Sequence, residues 1–379
     1  HTMGAFFPVS SLEVFDNYTY ASEDRSLASK YVLKPFYTRI IHVIPKGISP
    51  NLIALSGVAY SIISVIRAWY YNYTGKEASR WDYFLYAFEL FMYQTLDALD
   101  GLQARRTGTS SPLGELFDHC VDAINTSLET YVFSSMLNVS NEMLLLNQFA
   151  CCLNFFVSTW EEYHTHKLFL SNFSGPVEGV LSIIFLYILT GIKGQHIWED
   201  KYFNLFCMKD VFSAFSAVGL SYNIYAAIKN VKMLDEAKFK QRIAGSVPYL
   251  LSWALLITWA ALCWDIIGYV AFMPFYCITS AFTALLVGRI ITAHVTSSDF
   301  PMYTPIMLVP VIGIISHLIL PQHDLYTILI GSGFVMGVYA SFVAEIINEI
   351  TEYLGINCLT IKDKSATNTK TVRETKKTQ

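Results

Sequence analysis

Ten stretches of about 20 mostly apolar residues divide this chain, near 52–71, 82–100, 117–137, 143–162, 177–193, 210–228, 246–263, 267–291, 304–320 and 325–349. About 20 helical residues cross a hydrocarbon core of about 30 Å. No water is available there, so backbone N–H and C=O groups must pair within the segment, which a helix does and an open strand does not. The expected fold class is therefore all-α, a polytopic membrane protein of about ten transmembrane helices. The composition agrees, with 53% hydrophobic and 15% charged residues among 379. A formal net charge of -4 leaves no basic field for phosphate backbones, so nucleic acid is not an expected partner.

Basic residues are sorted by connection. Arg105 and Arg106, then Lys167, then Lys229, Lys232, Lys238, Lys240 and Arg242, and finally the Lys-rich tail alternate with poorly basic turns such as Cys263-Trp264-Asp265 and Pro321-Gln322-His323-Asp324. Positive-inside sorting then puts both ends in the cytosol and the second set of turns opposite. Leu27 to Ile44 mixes Lys30, Lys34 and Arg39 with Leu33, Phe36, Tyr37, Ile40 and Ile41, as an amphipathic helix lying on the membrane surface does.

The expected layout is an N-terminal segment (1–26), with His1-Thr2 read as a cloning remnant before Met3, and an interfacial helix (27–48). A membrane core (49–200) and C-terminal transmembrane helices (201–354) follow. A flexible cytosolic tail (355–379) ends the chain, too polar to pack. Its Lys376 and Lys377 resemble a dilysine address of endoplasmic reticulum membrane proteins. Seven scattered cysteines without a C-x-x-C pair predict reduced, buried thiols and neither a zinc site nor a disulfide framework.

Four carboxylates stand out against this apolar background. Asp97 and Asp100 share one helix face, and Asp118 and Asp122 share another. A carboxylate inside a membrane helix costs roughly 2.5 to 3.5 kcal/mol, so four that converge require a cation or a polar cavity. Two such pairs suit divalent metal. An all-oxygen set favours magnesium or manganese, whereas zinc prefers His or Cys.

The whole run, Asp97-x2-Asp100-Gly101-x2-Ala104-Arg105-x8-Gly114-x3-Asp118-x3-Asp122, resembles the CDP-alcohol phosphotransferase family, with no position missing. The surrounding Asp24-Arg25-Ser26, Pro50-Asn51-Leu52, Trp160 to His166 and Gly175-Pro176-Val177-Glu178-Gly179 look like its eukaryotic choline and ethanolamine branch, closest to the fungal enzymes. The resemblance implies transfer of phosphocholine or phosphoethanolamine from CDP-choline or CDP-ethanolamine to diacylglycerol, with release of CMP. It also implies two divalent ions, Mg2+ or Mn2+, and a homodimer in the endoplasmic reticulum or Golgi membrane with the active site facing the cytosol.

Residue by residue, Asp97, Asp100 and Asp118 would be metal ligands, and Asp122 a fourth ligand or the proton acceptor. Asn51, Gly101, Ala104, Arg105 and Gly114 would line the CDP-alcohol. Gly101 could instead end its helix, and Asn51 could cap the first span. Glu115 and His119 lie at i and i+4, so the glutamate can orient an imidazole that takes the acceptor proton, in competition with Asp122. Glu161, Glu162, His164 and His166 are either an interfacial polar cap or groups around the alcohol. Glu129, Arg289, Glu345 and Glu349 are left open. The rival readings are another CDP-alcohol transferase, using CDP-diacylglycerol and a soluble alcohol, and a cation-coupled transporter.

Overall fold

A computed structural model describes residues 15, 22–24, 26–170, 176–202 and 206–362. Most of the N-terminal segment and the tail from residue 363 onward, including Lys376 and Lys377, lie outside the described residues.

Each of the ten apolar stretches is a helix. The first helix, α1 (Lys34–Ile40), and a short α8 (Phe239–Ala244) and α10 (Trp264–Ile267) complete the numbering. The long helices are α2 (Pro50–Thr74), α3 (Arg80–Thr107), α4 (Pro112–Met136), α5 (Asn141–Thr165), α6 (Pro176–Lys193), α7 (Met208–Leu234), α9 (Val247–Leu262), α11 (Phe272–Val295), α12 (Leu308–Ile319) and α13 (Asp324–Leu354). Among the described residues, six helical segments are long and apolar enough to cross a membrane: α2, α5, α7, α8 joined to α9, α11, and α13 with the turn before it. As long as these but studded with the acid pairs are α3 and α4.

Local chemistry sets the ends of α3 and α4. Ser79 and Asp82 form a reciprocal capping box at the start of α3. Gly108, at a φ of 65° that glycine adopts without strain, ends it. After it, the Ser111 hydroxyl accepts from the Gly114 N–H, and Pro112 fills the first turn of α4. Two expectations are corrected here. Gly101 does not end a helix, because α3 runs on to Thr107. Asn51 does not cap α2, because Ser49 holds the N-cap position.

Centrally placed, α11 packs against α4, α5 and α13, and 89% of its apolar window is enclosed, whereas α7 is enclosed over only 6%. Helices α2, α3 and α6 form a second group, joined to the first through α4. The interfacial segment is continuous in helical turns from Ser29 to Val43. Its Leu33, Tyr37 and Ile41, at four-residue spacing, are buried against Ile53 and Leu99, while Leu27, Tyr31, Val32 and Val43 stay exposed. Near the start of α6, the Ser26 hydroxyl donates to Glu178 at 2.5 Å, so two motifs far apart in sequence meet.

Candidate active site

The acid pairs come together where α3 and α4 pack. One carboxylate oxygen each from Asp97, Asp118 and Asp122 lies within 4.8 Å of the other two. At an effective dielectric of about 20, two such charges repel by roughly 3.5 kcal/mol. Burial of Asp118 Oδ1 without a hydrogen-bond partner sharpens the conflict. Three carboxylates outweigh the single positive charge that His119 can bring to them, and that excess on oxygen donors is what a hard divalent cation satisfies, so these residues fit such an ion. Asp100 lies one turn further along α3, within electrostatic reach of Asp97 and Asp122.

A hydrogen bond from the Tyr93 hydroxyl to Asp122 Oδ1 fixes that carboxylate. Tyr93 stands one turn before Asp97 on the same face of α3. The interfacial helix closes this side: burial, and after it the Asp97 carboxylate, push the Tyr37 hydroxyl up to about 12.

The two arginines beyond Asp100 do different things. Arg106 donates to the carbonyls of Ile41 and, at 2.7 Å, Ile44. With Gln103, whose Nε2 donates to Pro45 and Ile48 at 3.0 and 2.8 Å, it ties the interfacial segment to the end of α3. Arg105 is exposed and folds back over Gly101, where a Cβ would stand 3.5 Å from its Nη1. Ala104 is half-buried beside it. Around Gly114 a Cβ would meet only Ser111 Oγ at 3.8 Å, which leaves open space at the start of α4.

His119 is buried one turn from Glu115, but the expected side-chain pairing is corrected. Its Nδ1 lies 3.0 Å from the Glu115 backbone carbonyl, and its Nε2 lies 3.0 Å from Glu162 Oε2 on α5. Within a helix, a histidine ring that turns back toward its own preceding turn meets the carbonyl at i−4 before the side chain at i−4. The Glu115 carboxylate points instead to His294 Nε2 on α11 at 3.7 Å, and Glu115, Glu162 and His294 have ligand atoms within 4.8 Å of one another.

The remaining polar candidates separate. Glu161 accepts from Asn230 at 2.7 Å, the His166 ring lies 5.4 Å from that of His294, and His164 packs among Trp160, Tyr163 and Phe300. Asn51 donates to the Cys358 carbonyl at 3.1 Å, linking the start of α2 to the chain after α13. Arg289 donates to the Tyr303 carbonyl at 2.6 Å. Sequence reasoning missed Tyr93, Gln103 and His294. Periodicity could have found Tyr93, since Tyr93, Asp97 and Asp100 share a face, but no local signal points to His294.

Comparison with known proteins agrees with this geometry. The family model described as CDP-alcohol phosphatidyltransferase matches residues 48–214, which contain the whole acidic run. A choline/ethanolaminephosphotransferase of Saccharomyces cerevisiae is 39% identical, with 96% of this chain and 100% of that protein aligned. A cholinephosphotransferase of the same yeast is 36% identical over 95% of this chain and 99% of its own length. A choline/ethanolaminephosphotransferase of Arabidopsis thaliana is 31% identical over 92% and 96%. The chain belongs to the CDP-alcohol phosphatidyltransferase family.

Proposed function

We propose that this chain transfers phosphocholine or phosphoethanolamine from CDP-choline or CDP-ethanolamine to diacylglycerol, forming phosphatidylcholine or phosphatidylethanolamine and releasing CMP. The observation that carries the reading is the convergence of Asp97, Asp118 and Asp122 around one point at the α3–α4 junction. Relatives named for this activity align with 95–96% of the chain.

Asp97, Asp100, Asp118 and Asp122 would hold magnesium or manganese, as two ions. When bound, these neutralise charge on the pyrophosphate and on the departing nucleotide. Gly101, Ala104 and Gly114 would border the space for the CDP-alcohol, whereas the Asn51 amide is engaged with the Cys358 carbonyl. Arg105 offers a planar donor fork to a phosphate, and its exposed position lets it swing there from its place over Gly101.

The diacylglycerol oxygen attacks the phosphorus that carries the aminoalcohol, one P–O bond forms, and the P–O bond to CMP breaks. A group near the metals must take the hydroxyl proton. His119 is the base of this reading. The Glu115 carbonyl can only accept, so Nδ1–H donates to it; Nε2 and the Glu162 carboxylate face each other at 3.0 Å, and the two would take up the substrate proton as a pair. Asp122 suits the task less well, because its carboxylate already accepts from Tyr93 and belongs to the metal set.

The enzyme would work as a homodimer in the endoplasmic reticulum membrane, its site facing the cytosol. Arg105, Arg106 and the basic cluster from Lys229 to Arg242 support that orientation.

The test is an assay of purified protein with diacylglycerol, Mg2+ and radiolabelled CDP-choline or CDP-ethanolamine in separate reactions. Labelled phospholipid and CMP are expected. Product only from CDP-diacylglycerol and a soluble alcohol would move the chain to another branch of the family. Cation flux into vesicles without lipid product from any donor would make it a transporter.

A further inference from the structure

A second cluster of ligating side chains lies apart from the acidic site, where α9, α12 and α13 end or begin. Cys263 closes α9, His317 sits in the last turn of α12, and Asp324 opens α13. One ligand atom from each lies within 4.8 Å of the other two. Cys263 and Asp324 are buried. His317 Nδ1 is 2.8 Å from Asp324 Oδ2, the Asp324 side chain is only 6% exposed, and its other oxygen, Oδ1, is buried with no hydrogen-bond partner.

The packing makes this meeting specific. Trp259 presses its indole onto the backbone of Gly313, where any Cβ would overlap the ring. Cys263 is one turn beyond Trp259 on α9, and His317 is one turn beyond Gly313 on α12. The indole contact therefore sets the helix register that puts thiol and imidazole at one level. Asp324 arrives in the first turn of α13, where the helix dipole favours its negative charge.

We infer that Cys263, His317 and Asp324 form a binding site for a borderline-soft divalent cation of the zinc class, distinct from the catalytic metal set. Sulfur, nitrogen and oxygen donors together match zinc and suit magnesium poorly. In a tetrahedral zinc site with bonds of about 2.0–2.3 Å, neighbouring ligand atoms stand roughly 3.3–3.8 Å apart. The 2.8 Å pair and the 4.8 Å limit bracket that spacing, so the three groups can close on an ion through small side-chain shifts. The orphan carboxylate oxygen supplies an electrostatic reason to do so. A water would take the fourth position, on the side where His317 is 23% exposed. By the sorting of basic connections, this end of the bundle faces away from the cytosol.

The experiment uses full-length protein purified in detergent without chelator. Elemental analysis should find about one zinc per chain, and Cys263→Ser and His317→Ala should each reduce it at least tenfold. Transfer activity, measured with added Mg2+, should stay within about threefold of the parent. Exchange of zinc for Co2+ in the unmutated protein should produce a thiolate-to-cobalt charge-transfer band that Cys263→Ser removes. This spectroscopic arm stands even where a variant fails to fold. A protein that takes up no zinc after loading at micromolar concentration and gives no such band would reduce the cluster to a hydrogen-bonded triad. Zinc retained in full by both variants would place the ion elsewhere. Either result overturns the site. Loss of lipid product from the unmutated chain would count against the proposed transferase and leave the zinc result standing.

Discussion

The two ligand clusters differ in nearly every respect that chemistry cares about. Aspartates on two consecutive helices give the α3–α4 site oxygen donors alone, with Asp97, Asp118 and Asp122 meeting at one point and Arg105 exposed beside them. The cluster at Cys263, His317 and Asp324 draws one sulfur, one nitrogen and one oxygen from three helices and lies against the tightly packed Trp259. One arrangement has the charge to receive a pyrophosphate with its cations; the other has the donor softness to retain one ion. The difference teaches that a membrane bundle can gather two donor sets of unlike chemistry, since each helix end is an independent place to collect polar groups.

Chelation is the strongest way to break that contrast. Stripping all divalent ions with EDTA should abolish lipid product, and Mg2+ alone should restore it, because the proposed reaction runs on the oxygen-donor set alone. A requirement for zinc as well as Mg2+ would merge the two clusters functionally. Next in size is Asp118→Asn, which keeps the shape and removes the charge of the residue with the orphan oxygen. It should lower kcat by about a thousandfold or more, on the scale of lost electrostatic stabilisation in enzyme sites, with circular dichroism and elution volume unchanged. Activity within tenfold of the parent would remove Asp118 from the metal set.

The proton-handling groups come third. Glu162→Gln should cut kcat by about 100-fold, the range of positioned acid–base groups. Glu115→Gln should cost less than about fivefold, because His119 meets the backbone carbonyl of Glu115 and that survives the substitution. Measuring KM for the CDP-alcohol alongside separates a positioning role from a binding one. The reverse ranking would restore the side-chain pairing that the sequence suggests. Fourth, Tyr93→Phe deletes the donor to Asp122. A hydrogen bond to a charged group is worth about 1.5–3 kcal/mol, so a loss of roughly 10- to 100-fold in kcat/KM is the expected reading.

These comparisons also explain what the sequence could reveal. The apolar stretches were legible because hydrocarbon thickness sets a characteristic length, and a helix forms at each of them; among the described residues six segments are long and apolar enough to cross, while α12, at 12 residues, is too short to cross by itself. The acidic cluster was legible because all four aspartates lie between residues 97 and 122, where helix periodicity alone assigns faces. Glycine misled at 101: its conformational freedom suggested a helix end, yet it lies inside α3, and Gly108 does the ending. Glu162 reaches His119 across 43 residues, a tertiary contact that no spacing rule encodes. The same holds more strongly for Cys263, His317 and Asp324. The sequence offers no C-x-x-C pair and so argued against zinc, but three helix ends assemble the donors without any local motif.

Gly313→Ala should have the smallest effect on turnover and isolates the end that carries Cys263 and His317. A methyl group there would collide with the Trp259 ring, which is itself wedged against Phe275 with ring centroids 5.4 Å apart and cannot swing clear. Helices α9 and α12 would have to separate, at a cost of about 1–3 kcal/mol for overpacking of this kind. The transition temperature should fall and zinc should bind more weakly, because Cys263 and His317 sit one turn beyond the point of collision. Transfer activity below that transition should change by less than about twofold, since α3 and α4 are not touched. A loss of turnover comparable to that of Tyr93→Phe would mean that strain at α9 and α12 travels through α11 to the acidic site, and the two ends of the bundle would then be mechanically one.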